Sequence, residues 1–239
     1  MDGSVGRGAR GLASWARPEA LPPQASRSAI VTVALGAHEE LVDIARPHLR
    51  RYAVRHSLDL HVVTDPIAPE RPASWTKVLV LRELLNVYER VAVIDADTVI
   101  VNGADDITRL PTRLRPIALV AHKYDGLTIP NLGVMAVRRS FTTMRMLEHV
   151  WNLTEYVDHK WWENAAMLDL LGYDVEEPRA ETRRRTLLHA RIRWLDVAWN
   201  SIDLHASPAP RIMHFPGTTH AERIARMRRA AEQAARADW

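Results

Sequence analysis

Two aspartates separated by one residue, Asp95 and Asp97, close the run Arg90-Val91-Ala92-Val93-Ile94. Small and β-branched apolar residues predict a buried strand there, and apolar residues resume at once in Thr98-Val99-Ile100-Val101. Residues i and i+2 of a strand share a face, so at its end the two carboxylates can converge on one cation. A hard divalent ion, Mg²⁺ or Mn²⁺, takes oxygen ligands and in turn grips a diphosphate. Two solvated turn aspartates are the plainer meaning, since so short a motif recurs by chance. His214, near the end of Arg211-Ile212-Met213-His214-Phe215, could complete an Asp₂His ligand set, as imidazole tolerates Mn²⁺. An ordinary strand-end histidine is the alternative.

Other residues point toward the same chemistry. Ser74-Trp75-Thr76-Lys77 opens a predicted helix, with Ser74 as its cap. A lysine in the first turn opposes the helix dipole, so Lys77 either faces a phosphate or sugar hydroxyl or is simply solvated. Asn131-Leu132-Gly133-Val134 is expected to begin a strand. Asn131 offers a donor and an acceptor, and Gly133 lets a ligand approach the backbone. An ordinary loop-to-strand junction would look the same. Trp161-Trp162-Glu163-Asn164 starts another helix. Glu163 and Asn164 could meet sugar hydroxyls while a tryptophan packs on a pyranose. Glu in a first turn also has a purely local reason, the dipole. Arg223, Arg226, Arg228, Arg229 and Arg236 crowd a final helix. Its basic face is expected to be solvated, with weak attraction to an anionic surface as the minority reading.

The elements that must position these groups alternate. Residues 29–35 read as a first strand, followed by helical spacing up to His56. Residues 58–64 read as a second strand, and a Pro-rich loop leads to the helix after Ser74. After the aspartate strand come strand-like runs over 117–121 and 131–137. Ser140 caps a helix, and a further helix over 161–171 is stopped by Gly172. Residues 211–215 form a late strand and 221–237 a terminal helix. This order predicts an α/β fold, an αβα sandwich with a mostly parallel central sheet. Such sheets bind ligands beyond the carboxyl ends of their strands, where Asp95 and Asp97 fall.

The chain has 239 residues, 47% of them hydrophobic, enough for one sizeable core. Residues 1–28, rich in Gly, Arg, Ala, Pro and Ser, read as a disordered tail, and residues 29–239 as a single domain. A net charge of only +3 argues against a broadly polyanion-seeking protein. Cysteine is absent, which excludes disulfides, a thiol nucleophile and thiolate metal sites. No apolar run approaches the ~18–20 residues of a membrane span, and no signal core is apparent, so a cytoplasmic protein is expected.

In this order the pieces resemble retaining glycosyltransferases of the GT-A (Rossmann-like) fold. The likeness is to the glycogenin-like family and to the yeast galactosyl/mannosyltransferase and plant xyloglucan xylosyltransferase group. Val93 to Val101, with Asp105-Asp106-Ile107, resembles the metal-binding strand and its sequel. Thr76-Lys77 is similar to the Thr-Lys pair before it, and Asn131-Leu132-Gly133-Val134 to the Asn-x-Gly-Val that touches the donor sugar. Glu163-Asn164 stands where the family has an acidic-amide pair, commonly Asp-Gln. Trp199-Asn200 resembles a later aromatic-Asn element. His214-Phe215-Pro216-Gly217 is similar to His-x-x-Gly, whose histidine binds metal. The chain departs from the glycogenin-like pattern at His220, where a lysine is usual.

The resemblance implies a metal-dependent transferase that moves a sugar from a nucleotide-diphosphate sugar, UDP-sugar favoured over GDP-sugar, to an acceptor hydroxyl with retention. Asp95, Asp97 and His214 would hold Mn²⁺ or Mg²⁺. Lys77, Glu163 and Asn164 would serve catalysis. Asp95, Asn131, Gly133, Asn200, Gly217 and His220 would join them in binding the donor. Two rivals are a haloacid-dehalogenase-type phosphohydrolase using Asp95 and Asp97, and a non-catalytic nucleotide-sugar or polyanion-binding module.

Overall fold

The computed structural model describes residues 15, 18–19, 27–124, 127–175, 185–202, 206–237 and 239. In chain order the strands are β1 (Ser28–Val33), β2 (Asp59–Val63), β3 (Arg90–Ile94), β4 (Thr98–Ile100), β5 (Ile117–Tyr124), β6 (Leu127–Arg138), β7 (Ile192–Leu195), β8 (Ser201–Ile202) and β9 (Ile212–His214). The helices are α1 (His38–His56), α2 (Thr76–Val87), α3 (Phe141–Asn152), α4 (Trp162–Leu171) and α5 (His220–Ala235).

Six strands form one sheet in the order β2-β1-β3-β6-β5-β7, and β4, β9 and β8 form a small second sheet. β1 pairs in parallel with β2 and β3, and β5 with β7. β6 alone runs against its neighbours β3 and β5, so the sheet is mostly parallel, as the alternation of elements predicts. Period-2 alternation divides the apolar residues between two layers. Ala29, Val31, Val91 and Val93 pack with residues of α2, α3 and α4. Ile30, Ala92 and Ile94 pack on the opposite face with residues of α1 and α5. Leu41 of α1 and Leu81 of α2 are fully buried, each such side chain contributing about 1.5–3 kcal/mol relative to exposure. The result is the expected αβα sandwich.

Local chemistry explains several element ends. Ser140 accepts from the backbone N–H of Thr143 and caps α3, and Gly172 at φ 89° ends α4. Ser74 does not cap α2 as expected. A 3-10 turn over Ala73–Trp75 runs directly into that helix, and the Ser74 hydroxyl has no hydrogen-bond partner. The terminal helix begins a residue earlier than expected, at His220, because Thr219 is its cap and accepts from Glu222 N. Asn131 lies inside β6 rather than at its start. Most of residues 1–28, read as a tail, lie outside the described residues, and Ser28 already belongs to β1. Among those described, Trp15 packs on the core, and Glu19 donates its N–H to Leu60 O and pairs with Arg46 and Arg50.

Candidate active site

Asp95 and Asp97 occupy the turn between β3 and β4, at the carboxyl end of the central parallel strand. The turn is fixed by backbone bonds: Asp95 N–H donates to Gly133 O (2.8 Å) and Thr98 Oγ1 donates to Asp95 O (2.7 Å). β9 pairs antiparallel with β4, Thr98 opposite His214, and Phe215 N–H donates to Asp97 O (3.0 Å). That register sets the imidazole beside the carboxylates, with His214 Nε2 3.2 Å from Asp97 Oδ1. Ligand atoms of Asp95, Asp97 and His214 all lie within 4.8 Å of one another. Two hard carboxylates and one imidazole fit Mn²⁺ or Mg²⁺ by donor chemistry.

The histidine is oriented for that use. Its Nδ1 is 2.8 Å from Oδ1 of Asn200, which is fully buried. Asn200 Nδ2 in turn donates to Asn131 Oδ1 (2.9 Å), and the same oxygen accepts from Gly133 N–H (2.8 Å). An amide oxygen can only accept, so this network places a proton on Nδ1 and leaves Nε2 facing the aspartates, the nitrogen that a cation would take. Asn200, expected to bind substrate, lies behind the histidine and outside the cavity wall. A Cβ on Gly133 would come within 2.3 Å of His214 Cε1, so the room that Gly133 leaves is taken by the ring.

Asn131 and Gly133 reach the cleft through a register break. Leu119 of β5 pairs with Met135, but the next residue, Val120, pairs with Asn131. Residues 132–134 therefore bulge away from β5 at the end of β3. Asn164 holds the bulge from α4: its Oδ1 accepts from Leu132 N–H (3.0 Å) and its Nδ2 donates to Pro130 O (3.2 Å).

Lys77 is buried, with Nζ 2.7 Å from Asp95 Oδ1 and 3.1 Å from Glu163 Oε1. Burial alone would lower the lysine pKa; Asp95 and Glu163 outweigh it and hold the ammonium well above its ordinary value. Burial, reinforced by the Asp97 charge, raises Asp95 even against Lys77. Burial also opposes ionisation of Asp97, but His214 and Arg223 outweigh it and hold that carboxyl below its usual range. Glu163 Oε2 is buried with no hydrogen-bond partner.

These groups surround a cavity of about 880 Å³. Its wall includes Lys77, Asp95, Asp97, Asn131, Gly133, Glu163, Asn164, His214 and Gly217. His220, expected at the donor, is not on that wall; its Nε2 lies 3.3 Å from Glu40 Oε2, outside the cleft. Arg223, read from the sequence as part of a solvated face, does line it, 3.6 Å from Asp97 Oδ2. His38, Lys160, Trp161 and Trp162 also stand on the wall. Trp162 adopts a left-handed φ of 46°, rare for an aromatic residue, and is 45% exposed.

Solved structures resemble this architecture. A glycosyltransferase involved in the glycosylation of the major capsid of PBCV-1 is similar over 84% of this chain and 98% of its own, at 16% identity and a TM-score of 0.63. The fold is that of GT-A glycosyltransferases. The glycosyltransferase GlyE of Streptococcus pneumoniae TIGR4 is similar over 90% of this chain and 61% of its own, at 15% identity and a TM-score of 0.57. No protein-family model and no curated protein sequence matches the chain. Among the described residues, no helix is long and apolar enough to cross a membrane.

Proposed function

We propose that the chain is a metal-dependent glycosyltransferase that moves a sugar from a nucleotide-diphosphate sugar, UDP-linked in preference to GDP-linked, to an acceptor hydroxyl with retention of configuration. The observation that carries this reading is the locked His214. Its Nε2 is aimed at Asp95 and Asp97 by the Asn200–Asn131 network, inside a cavity large enough for a nucleotide sugar. The resemblance in sequence and the fold support it independently.

Asp95, Asp97 and His214 would hold the cation. When bound, Mn²⁺ or Mg²⁺ supplies a Lewis acid for the charge that gathers on the diphosphate. The chain's own groups do the rest. Glu163 stands on the cavity wall, suited to a donor-sugar hydroxyl or to the positive charge that develops on the ring. Lys77 keeps Glu163 and Asp95 in place by charge-assisted bonds. Asn164 and Asn131 fix the bulged backbone under the sugar. The bond from the anomeric carbon to the β-phosphate oxygen breaks, and its electron pair stays on that oxygen. The acceptor oxygen bonds to the same face of the carbon, and its proton passes to the departing phosphate.

A phosphohydrolase of the haloacid-dehalogenase type would open its fold with the aspartate strand. Here the β1–α1 and β2–α2 units precede it. A thermal-shift panel of UDP, GDP and their sugars with Mn²⁺, followed by turnover assays, tests the proposal. Ligand at 100 times Kd should add about 2.7 kcal/mol of stability. EDTA should abolish transfer, Mn²⁺ or Mg²⁺ should restore it, and Asp97→Asn should lower it by more than ~10³-fold, several kcal/mol of barrier. Full transfer in EDTA would end the metal-dependent reading. Nucleotide-sugar binding without transfer or hydrolysis would leave a binding module. NMR of a product from an α-linked donor should show an α-glycoside; a β product would remove retention.

A further inference from the structure

A nucleoside diphosphate seated at the aspartates brings more negative charge than the carboxylates can tolerate unaided. The chain must meet it with cations on the cavity wall. Lys77 is committed between Asp95 and Glu163. His220 faces away, toward Glu40, and Lys160 lies against the face of the Trp161 ring, 4.9 Å from its centre.

Arg223 is placed differently. It sits in the first turn of α5, is 16% exposed, and lines the cavity beside Asp97. Its Nε donates to Phe215 O (3.0 Å) and its Nη2 to Thr218 O (3.3 Å). Those two bonds grip both ends of the turn that carries Gly217. A guanidinium has five N–H donors, so three remain, in a planar fork that matches two phosphate oxygens. We propose that Arg223 is the diphosphate-binding cation of this site and a catalytic residue. It donates to the β-phosphate oxygens, where the electron pair of the breaking anomeric bond collects. This rests on the glycosyltransferase reading and assigns to α5 a role that the sequence suggested for His220.

A merely structural Arg223 would hold the turn and steady Asp97, so its loss would weaken Mn²⁺ binding measured without nucleotide, whereas loss of a phosphate contact would not. A diphosphate contact separates diphosphate from monophosphate. Isothermal titration in saturating Mn²⁺ with UDP against UMP, and GDP against GMP, reads that separation directly. Wild type should prefer the diphosphate of its cognate base. Arg223→Gln should weaken diphosphate binding roughly 10–100-fold, the size of one or two charged hydrogen bonds, and leave the monophosphate within about twofold. Arg223→Lys, which keeps the charge and loses the fork, should give an intermediate ratio and carries the test if the glutamine variant does not fold. A diphosphate-to-monophosphate ratio unchanged from wild type, or an equal loss for both nucleotides, overturns the assignment of Arg223 and leaves the glycosyltransferase reading standing. Failure of wild type to bind either diphosphate overturns both.

Discussion

Lys77 shows how far a single residue's role can differ from its local context. In the sequence it is a lysine in a helix's first turn, equally suited to solvent or to a ligand. In the fold, β3 brings Asp95 to it and α4 brings Glu163, from 18 and 86 positions away in the chain, and its side chain is 6% exposed. Periodicity cannot reveal such partners, because they come from different elements. Removing the cation strands the buried Glu163 carboxylate and takes the partner from Asp95, which is 27% exposed. Lys77→Met should therefore cost about 3–5 kcal/mol, and adding Glu163→Gln should recover part of it by removing one stranded charge. Urea denaturation of the two variants measures this. A Lys77→Met protein as stable as wild type would mean that water already reaches the pair. Asp95, Asp97 and His214 were legible for the opposite reason. They fall at strand ends whose positions apolar patterning fixes, Asp95 and Asp97 just after β3 and His214 at the end of β9 in the small sheet.

At the scale of elements, β6 does what no motif announced. Its expected start at Asn131 is the middle of a longer strand, and the break in register opposite Val120 lifts residues 132–134 toward the cleft. Gly133 then has a packing reason, the His214 ring, where the sequence suggested the approach of a ligand. Gly133→Ala should push the ring off its bond with Asn200 and weaken Mn²⁺ binding about 10–100-fold, as losses of ligand-orienting contacts do. Mn²⁺ titration followed by electron paramagnetic resonance checks it. Unchanged affinity would show that the ring has room to turn. β7 and β8 escaped the sequence altogether, being short and lacking clear alternation. The terminal helix was found, but its run of arginines masked the one that lines the cavity. Arg223 differs from its neighbours only by following β9 at a spacing that brings it back over Asp97, and that is a tertiary fact.

At the scale of the molecule, the large sheet and the turn that carries Asp95 and Asp97 are built from residues up to 195, while His214 and Arg223 come from the β9–α5 segment that follows. The order in which the chain is made therefore matters. A nascent chain with residue 200 just clear of the ribosome holds every strand of the six-stranded sheet. It also holds Asp95 and Asp97 and an unpaired β4, with Lys77 to offset Asp95 but neither imidazole nor guanidinium beside Asp97. Such a chain should be cleaved readily near β4 and bind no nucleotide. Protection and binding should arise together once residue 235 has emerged. Pulse proteolysis of ribosome-stalled chains of increasing length would show whether this last segment sets the moment at which the site becomes competent.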